Sequence, residues 1–239
     1  AVITGANMSG KTIYMLTIGL NVLMAQIGCF VSCERMEFSP VDMILTKINT
    51  RESLSKLNSN FVLDCQQLNK CLKKATEHSL VLIDEFGKGT NVIDGPSLFG
   101  GVLFHLFETK CRALLCTHFH ELFSDGVLGK DQMIKRNINF YMTDIVVGEN
   151  QEFITFLYKL KRGISFKSFG VVCAKYCNLN DQVVSDASSI SNLITNSDQS
   201  KNEKMTNLLE FISNINESAL NEEYQQFKAL TIDFLKKEF

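Results

Sequence analysis

The chain contains no tryptophan, only 2 prolines and no surplus of either charge, with 24 Lys and Arg against 26 Asp and Glu. A formal net charge of -2 gives no overall cationic footprint for nucleic acid, so DNA contact within these residues would need a local patch. Eight cysteines occur without a single C-x-x-C pair, which removes the usual zinc-ribbon and redox spacings. Cys173 and Cys177 lie one helical turn apart, and Cys29 and Cys33 bracket an apolar stretch. The thiols are therefore read as buried and reduced, which implies a reducing compartment, cytosol or nucleus. Charge is missing altogether from Ile13 to Cys33, a length approaching that of a membrane span. Asn21, Gln26 and Gly28 interrupt it, and a central helix followed by a buried strand at Cys29 to Ser32 is the better account, so no membrane association is expected. What is left is an ordinary globular composition: 239 residues, 45% hydrophobic and 21% charged, enough for one sizeable core and an appendage.

Against that background one run stands out. Gly5-Ala6-Asn7-Met8-Ser9-Gly10-Lys11-Thr12 fits G-x-x-x-x-G-K-[ST], the spacing of a phosphate-binding loop. Two glycines let the backbone curl so that successive N–H groups, those of Ala6, Asn7, Met8 and Ser9 among them, turn toward phosphate oxygens. Lys11 places a cation on the β- and γ-phosphates, and the Thr12 hydroxyl is a candidate Mg²⁺ ligand. Ala1 to Thr4 reads as the end of a buried strand and Ile13 to Gln26 as a helix, whose N-terminus adds partial positive charge. Taken alone, such a run is also what a chance glycine turn looks like. A strand feeding the loop normally needs about five residues, so the chain is expected to have been cut from a longer protein.

Strands are further expected at Val41 to Ile48, Ser79 to Ile83 and Ala113 to Cys116, and helices at Phe61 to Ala75 and Asp94 to Glu108. Asn49 to Asn58 reads as a polar loop. The alternation argues for an α/β sheet with phosphate chemistry at the strand C-termini. From Asn137 the pattern changes: Asn139 to Val147 and Phe153 to Lys161 form a predicted antiparallel hairpin around Gly148-Glu149-Asn150. Ser168 to Cys177 and Asp181 to Leu193 then read as a helix–turn–helix, followed by helical patterns at Lys204 to Asn214 and Glu217 to Phe239. Two domains follow, residues 1–162 and 163–239.

Leu80-Val81-Leu82-Ile83 delivers Asp84 and Glu85 to a strand end. Asp84 suits Mg²⁺, held through water, and Glu85 suits orienting or deprotonating an attacking water. His118 follows Leu114-Leu115-Cys116-Thr117 and stands where a side chain can bond a γ-phosphate. Cys116, His118 and His120 leave a metal site open as an alternative, although no further ligands recur nearby.

The run Asp84-Glu85-Phe86-Gly87-Lys88-Gly89-Thr90-Asn91 with Asp94-Gly95, then Thr117-His118-Phe119-His120-Glu121-Leu122, resembles the ATPase domain of the MutS family of DNA mismatch-recognition proteins. Asn7-Met8, Ser59-Asn60-Phe61-Val62-Leu63-Asp64 and Lys167-Ser168-Phe169-Gly170 fit the same family, over about Val2 to Ile190. Lys88 and Asn91 stand where repair members more often carry Arg and Ser, and this resembles the meiotic branch. The resemblance implies an ABC-type P-loop ATPase fold with a mixed, mainly parallel sheet, the hairpin and the helix–turn–helix. It implies ATP and Mg²⁺ as cofactors, with Gly5 to Thr12, Asp84, Glu85 and His118 serving the chain's own nucleotide. Ser59 and Thr90 to Asp94 would reach the partner's γ-phosphate. It further implies a second MutS homologue as heterodimer partner, DNA bound through parts outside these residues, and action in the nucleus. Ala6 for proline, Ser9 for glycine and Asn60 for threonine depart from the family pattern without removing a catalytic group. Asp181 to Ser188 is acidic and without cations, which suits dimerisation better than reading DNA. Three rivals are a mismatch-repair member, an SMC-like or transporter ATPase (whose L-S-G-G-Q signature is absent), and a nucleotide-binding module without turnover.

Overall fold

Residues 1–48, 60–123, 128–129, 133–134, 136–148, 153–166 and 169–193 are described by a computed structural model. The elements run β1 (Val2–Thr4), α1 (Lys11–Gln26), β2 (Ile44–Lys47), α2 (Asn60–Lys74), β3 (Leu80–Asp84), α3 (Asp94–Thr109), β4 (Arg112–Cys116), β5 (Phe140–Val147), β6 (Ile154–Arg162) and α4 (Gly170–Tyr176). A further helix, α5, covers 181–193, and a 3₁₀ turn covers His120–Phe123. The chain divides into two compact units, Ala1–Cys173 and Ala174–Phe239.

Alternation along β3 explains the layers. Val81 and Ile83 pack with Val2, Leu115, Phe99, Leu103 and Leu106 on one face, where α2 and α3 contribute their apolar stripes. Leu80 and Leu82 pack with Ile3, Leu114, Met15 and Val22 on the other, which α1 covers. A strand buried on both faces needs a continuous apolar run, and β3 has one. The six strands form one sheet in the order β2-β3-β4-β1-β5-β6. β1 to β5 pair in parallel and β6 closes antiparallel on β5, with a register irregularity between Thr143 and Ile145. The class is therefore mixed α/β.

The expected strand at Cys29 to Ser32 is not formed. Phe30 is 97% exposed, and the Ser32 N–H and hydroxyl are both taken by Asn21 Oδ1, at 2.7 and 3.0 Å. With its donors satisfied by a side chain of α1, the segment has no ladder to join. β2 is shorter than expected, starting at Ile44. None of the eight cysteines is in a disulfide, and only Cys71, Cys116 and Cys173 are buried; Cys29, Cys33 and Cys177 are exposed, which corrects the expectation of buried thiols. The polar loop through Ser59, the hairpin residues Glu149 and Asn150, Lys167, Ser168 and the two helical patterns after Leu193 lie outside the described residues. Among the described residues no helix is long and apolar enough to cross a membrane.

Candidate functional site

Three parallel strands end side by side, and their register sets the site. Cys116 pairs with Ile3 of β1 on one side and with Asp84 of β3 on the other. The Thr117 N–H donates to Ile3 O at 3.0 Å and the Glu85 N–H to Cys116 O at 3.0 Å. The glycine loop, the acid pair and His118 therefore leave the sheet at one edge.

The loop from Gly5 to Gly10 is held from within. Gly5 has φ 146 and Gly10 φ 87, and a Cβ on Gly5 would sit 1.9 Å from Thr143 Oγ1. Ser9 Oγ donates to Ala6 O at 2.7 Å and accepts from Thr143 Oγ1 at 2.8 Å, which ties the loop to β5. Lys11, the first residue of α1, is buried, and its Nζ donates to Gly5 O at 2.9 Å and Ala6 O at 2.8 Å. Burial lowers the Lys11 pKa, opposed chiefly by the charge on Glu85. Thr12 Oγ1 donates to Asp84 Oδ2 at 2.8 Å, bridging loop and acid pair.

Glu85 has both oxygens engaged: Oε1 lies 2.7 Å from His118 Nε2 and Oε2 accepts from Lys88 Nζ at 2.6 Å. The His118 bond, then Lys88, bring its carboxyl down to about 2 against the cost of burial. Its φ of 49 is unusual for a non-glycine residue. Downstream, Gly87 and Gly95 touch backbone to backbone. A Cβ on Gly95 would stand 2.6 Å from Gly87 O and 3.0 Å from the Phe119 ring, with no flexible chain end to move aside. Gly95→Ala is expected to destabilise the chain by about 1–3 kcal/mol, measurable by chemical denaturation. Asn91 accepts from the N–H groups of Ile93 and Asp94 at 2.9 and 2.6 Å and so starts α3.

Asp84 shows what the site lacks in partners. Its Oδ1 is, among the described residues, the one buried side-chain polar atom without a hydrogen bond. Burial, and then the charge on Glu85, raise its pKa, while the Thr12 bond lowers it. A buried carboxylate oxygen beside a hydroxyl is a hard donor pair of the kind Mg²⁺ takes, so these residues fit that ion. Because the folded-state pKa is raised, ionised Asp84 opposes folding at neutral pH; that penalty disappears as pH falls below about 3.9, the unfolded value. Asp84→Asn keeps the acceptor for Thr12 and is expected to stabilise the ligand-free chain by about 1 kcal/mol at pH 7. The gain should vanish near pH 4, as followed by chemical denaturation at stepwise pH.

The structure thus brings together Gly5 to Thr12, Asp84, Glu85 and His118; Ser59 lies outside the described residues. The cluster contains residues that motif reading gave no role. Lys88 pairs with Glu85, and Lys47 lies fully buried beneath Asp84. Tyr158, at φ 53, faces Gly10 across the loop. Lys47 closes the short strand Ile44–Lys47 after Thr46, a placement that by itself reads as a solvated strand end and gave no signal. No group of three or more His, Cys, Asp or Glu side chains that could hold a metal ion occurs among the described residues.

The family description MutS domain V matches residues 1–195. The chain is 47% identical over 213 residues to MutS protein homolog 5 of Saccharomyces cerevisiae, covering 82% of the chain and 23% of that protein. It is 36% identical over 190 residues to the DNA mismatch repair protein MutS of Chlorobaculum tepidum, covering 79% and 21%. It is 34% identical over 248 residues to the DNA mismatch repair protein MSH2 of S. cerevisiae, covering 99% and 24%. The chain therefore spans about a quarter of the length of these relatives. On the matched domain, and on relatives aligned along most of its length, the chain belongs to the MutS family.

Proposed function

We propose that this chain binds ATP with Mg²⁺ and hydrolyses it, as an ABC-type P-loop ATPase domain over residues 1–162 followed by a dimerising region over 163–239. The observation that carries the reading is the pair of contacts that join three strand ends: Thr12 Oγ1 to Asp84 Oδ2 at 2.8 Å and His118 Nε2 to Glu85 Oε1 at 2.7 Å. Lys11 and the loop N–H groups bind the phosphates by charge-assisted hydrogen bonds. Thr12 and Asp84 would hold Mg²⁺, which when bound offsets phosphate charge. Glu85 orients the attacking water and accepts its proton, and His118 holds Glu85 and faces the γ-phosphate.

The site is read as one half of a composite. Val92 and Ile93, 91% and 76% exposed beside the Asn91 turn, put apolar side chains in solvent next to polar Thr90 and Asp94, which suits contact with a second protein. Ser59 would serve the same partner-facing role. ATP bound between two such faces draws them together, and hydrolysis releases them.

Within the family the reading is the meiotic branch: a DNA clamp on recombination intermediates such as Holliday junctions, acting in crossover formation in the nucleus. Its partner is then MutS protein homolog 4, in a heterodimer, and DNA is held by parts outside this chain. Identity of 47% to MutS protein homolog 5, against 36% and 34% to two repair-named relatives, supports this branch. The test has two arms. A fluorescent ATP analogue titrated into the chain should saturate, with Mg²⁺ tightening binding; no saturable binding would sink the ATPase reading. The protein with its DNA-binding parts, paired with its partner, should prefer four-way junctions to mispaired duplex; the reverse preference would assign it to repair.

A further inference from the structure

Lys47 closes β2 and is 0% exposed. A buried ammonium is costly unless it is paired and hydrogen-bonded. This one lies 2.9 Å from Asp64 Oδ2 of α2 and donates to the main-chain carbonyl of Asp84 at 3.0 Å. The β2–β3 ladder ends with Lys47 opposite Ile83, so the Asp84 peptide lies one residue past it. The Lys47 side chain supplies the contact that the β2 backbone no longer makes. On the far side, Asp84 is held by Cys116 of β4 alone in the ladder.

We infer that Lys47 and Asp64 are a positioning pair for the nucleotide–metal site: the ion pair, with its lysine end fully buried and its carboxylate 25% exposed, anchors the Asp84 peptide to α2 and keeps the Asp84 carboxylate aligned with Thr12. The inference rests on the ATP–Mg²⁺ reading given above. Stability alone is a poor reason for the pair, because a buried ion pair exchanged for apolar side chains of similar volume is often neutral or better for folding. A requirement for position explains it instead. Residues that orient a metal-binding carboxylate without touching the metal typically matter about 10- to 100-fold in metal affinity.

The double variant Lys47→Met with Asp64→Leu in the 239-residue chain separates the two roles. Its thermal midpoint without nucleotide is expected to equal or exceed that of wild type. The Mg²⁺ concentration giving half-maximal binding of a fluorescent ATP analogue is expected to rise about tenfold or more, while Mg²⁺-free binding through Lys11 stays the same. Asp64→Asn, which keeps an acceptor for Lys47 and nearly the same volume, is expected to raise the same Mg²⁺ value to a smaller degree. An unchanged Mg²⁺ requirement in either folded variant, with wild type clearly Mg²⁺-dependent, overturns the positioning role alone. A wild-type chain whose nucleotide binding ignores Mg²⁺ overturns the metal reading of Thr12 and Asp84, and this inference with it.

Discussion

Glu85→Gln is expected to leave ATP binding close to wild type and to lower turnover in the paired complex about 10²- to 10⁴-fold. Binding survives because the phosphate contacts come from the loop and Lys11, none of which the substitution touches. Turnover falls because an amide cannot take a proton from water. The size of the fall separates two roles for this residue. With its carboxyl drawn down to about 2 by His118 and Lys88, Glu85 is a weak proton acceptor as it stands. If it mainly orients water, the glutamine oxygen retains part of that work and the loss stays near the lower figure. If phosphate draws Lys88 or His118 away, Glu85 becomes more basic and the loss approaches the upper one. Unchanged turnover would remove Glu85 from the mechanism. Acid sensitivity gives an independent check. A depressed folded-state pKa means that the His118–Glu85–Lys88 contacts stabilise the fold fully above the unfolded glutamate value of about 4.3. That stability is lost as pH falls toward about 2. The glutamine variant should lack this acid-dependent loss, as followed by denaturation midpoints at stepwise lower pH.

Much of the sheet could be read ahead because its strands carry a two-sided signal. Leu80 to Ile83 has no polar interruption, and a run of that kind has few places to go except the centre of a parallel sheet. The glycine loop and the acid pair were legible for a related reason: each falls at the end of such a strand, so neighbouring ends converge whatever the loops do. Phe30 and Val31 misled because apolar content suggested a ladder, whereas the Asn21 side chain had already claimed the Ser32 donors. Lys47 was illegible for the opposite reason. A lysine at a strand end reads as solvated, and its burial is made tolerable by partners distant in sequence, Asp64 one turn into α2 and the Asp84 carbonyl at the end of β3. Lys88 was visible as a letter in a motif, but its pairing with Glu85 depends on the tight Gly87–Gly95 contact that folds the intervening turn back on the site. Pairwise side-chain geometry of this kind has no period along the chain and so leaves no pattern to read.

Lys11→Ala should lower ATP affinity about 10- to 100-fold while the chain stays folded. A hydrogen bond to a charged group contributes about 1.5–3 kcal/mol, and each 1.4 kcal/mol is about tenfold in affinity. Two opposing effects act on stability. The buried ammonium carries a desolvation cost, seen in its lowered pKa, and alanine removes that cost. Alanine also deprives Gly5 O and Ala6 O of their donor and leaves space where the lysine stem was packed. These effects oppose each other, so the net change should stay within about 2 kcal/mol. The lowered pKa has a further consequence: Lys11 loses its proton below the ordinary lysine value of 10.5, so ATP affinity should decline at a lower pH than a solvent-exposed lysine would give. Lys11→Met tells charge from packing. Methionine refills most of the stem volume but has no donor, so its ATP affinity should fall as far as that of the alanine variant while its stability is higher. Near-wild-type affinity in the methionine variant would mean that the lysine acts by packing the loop and not by charge. Equal affinity in wild type and both variants would refute the assignment of Gly5 to Thr12 as the phosphate-binding loop.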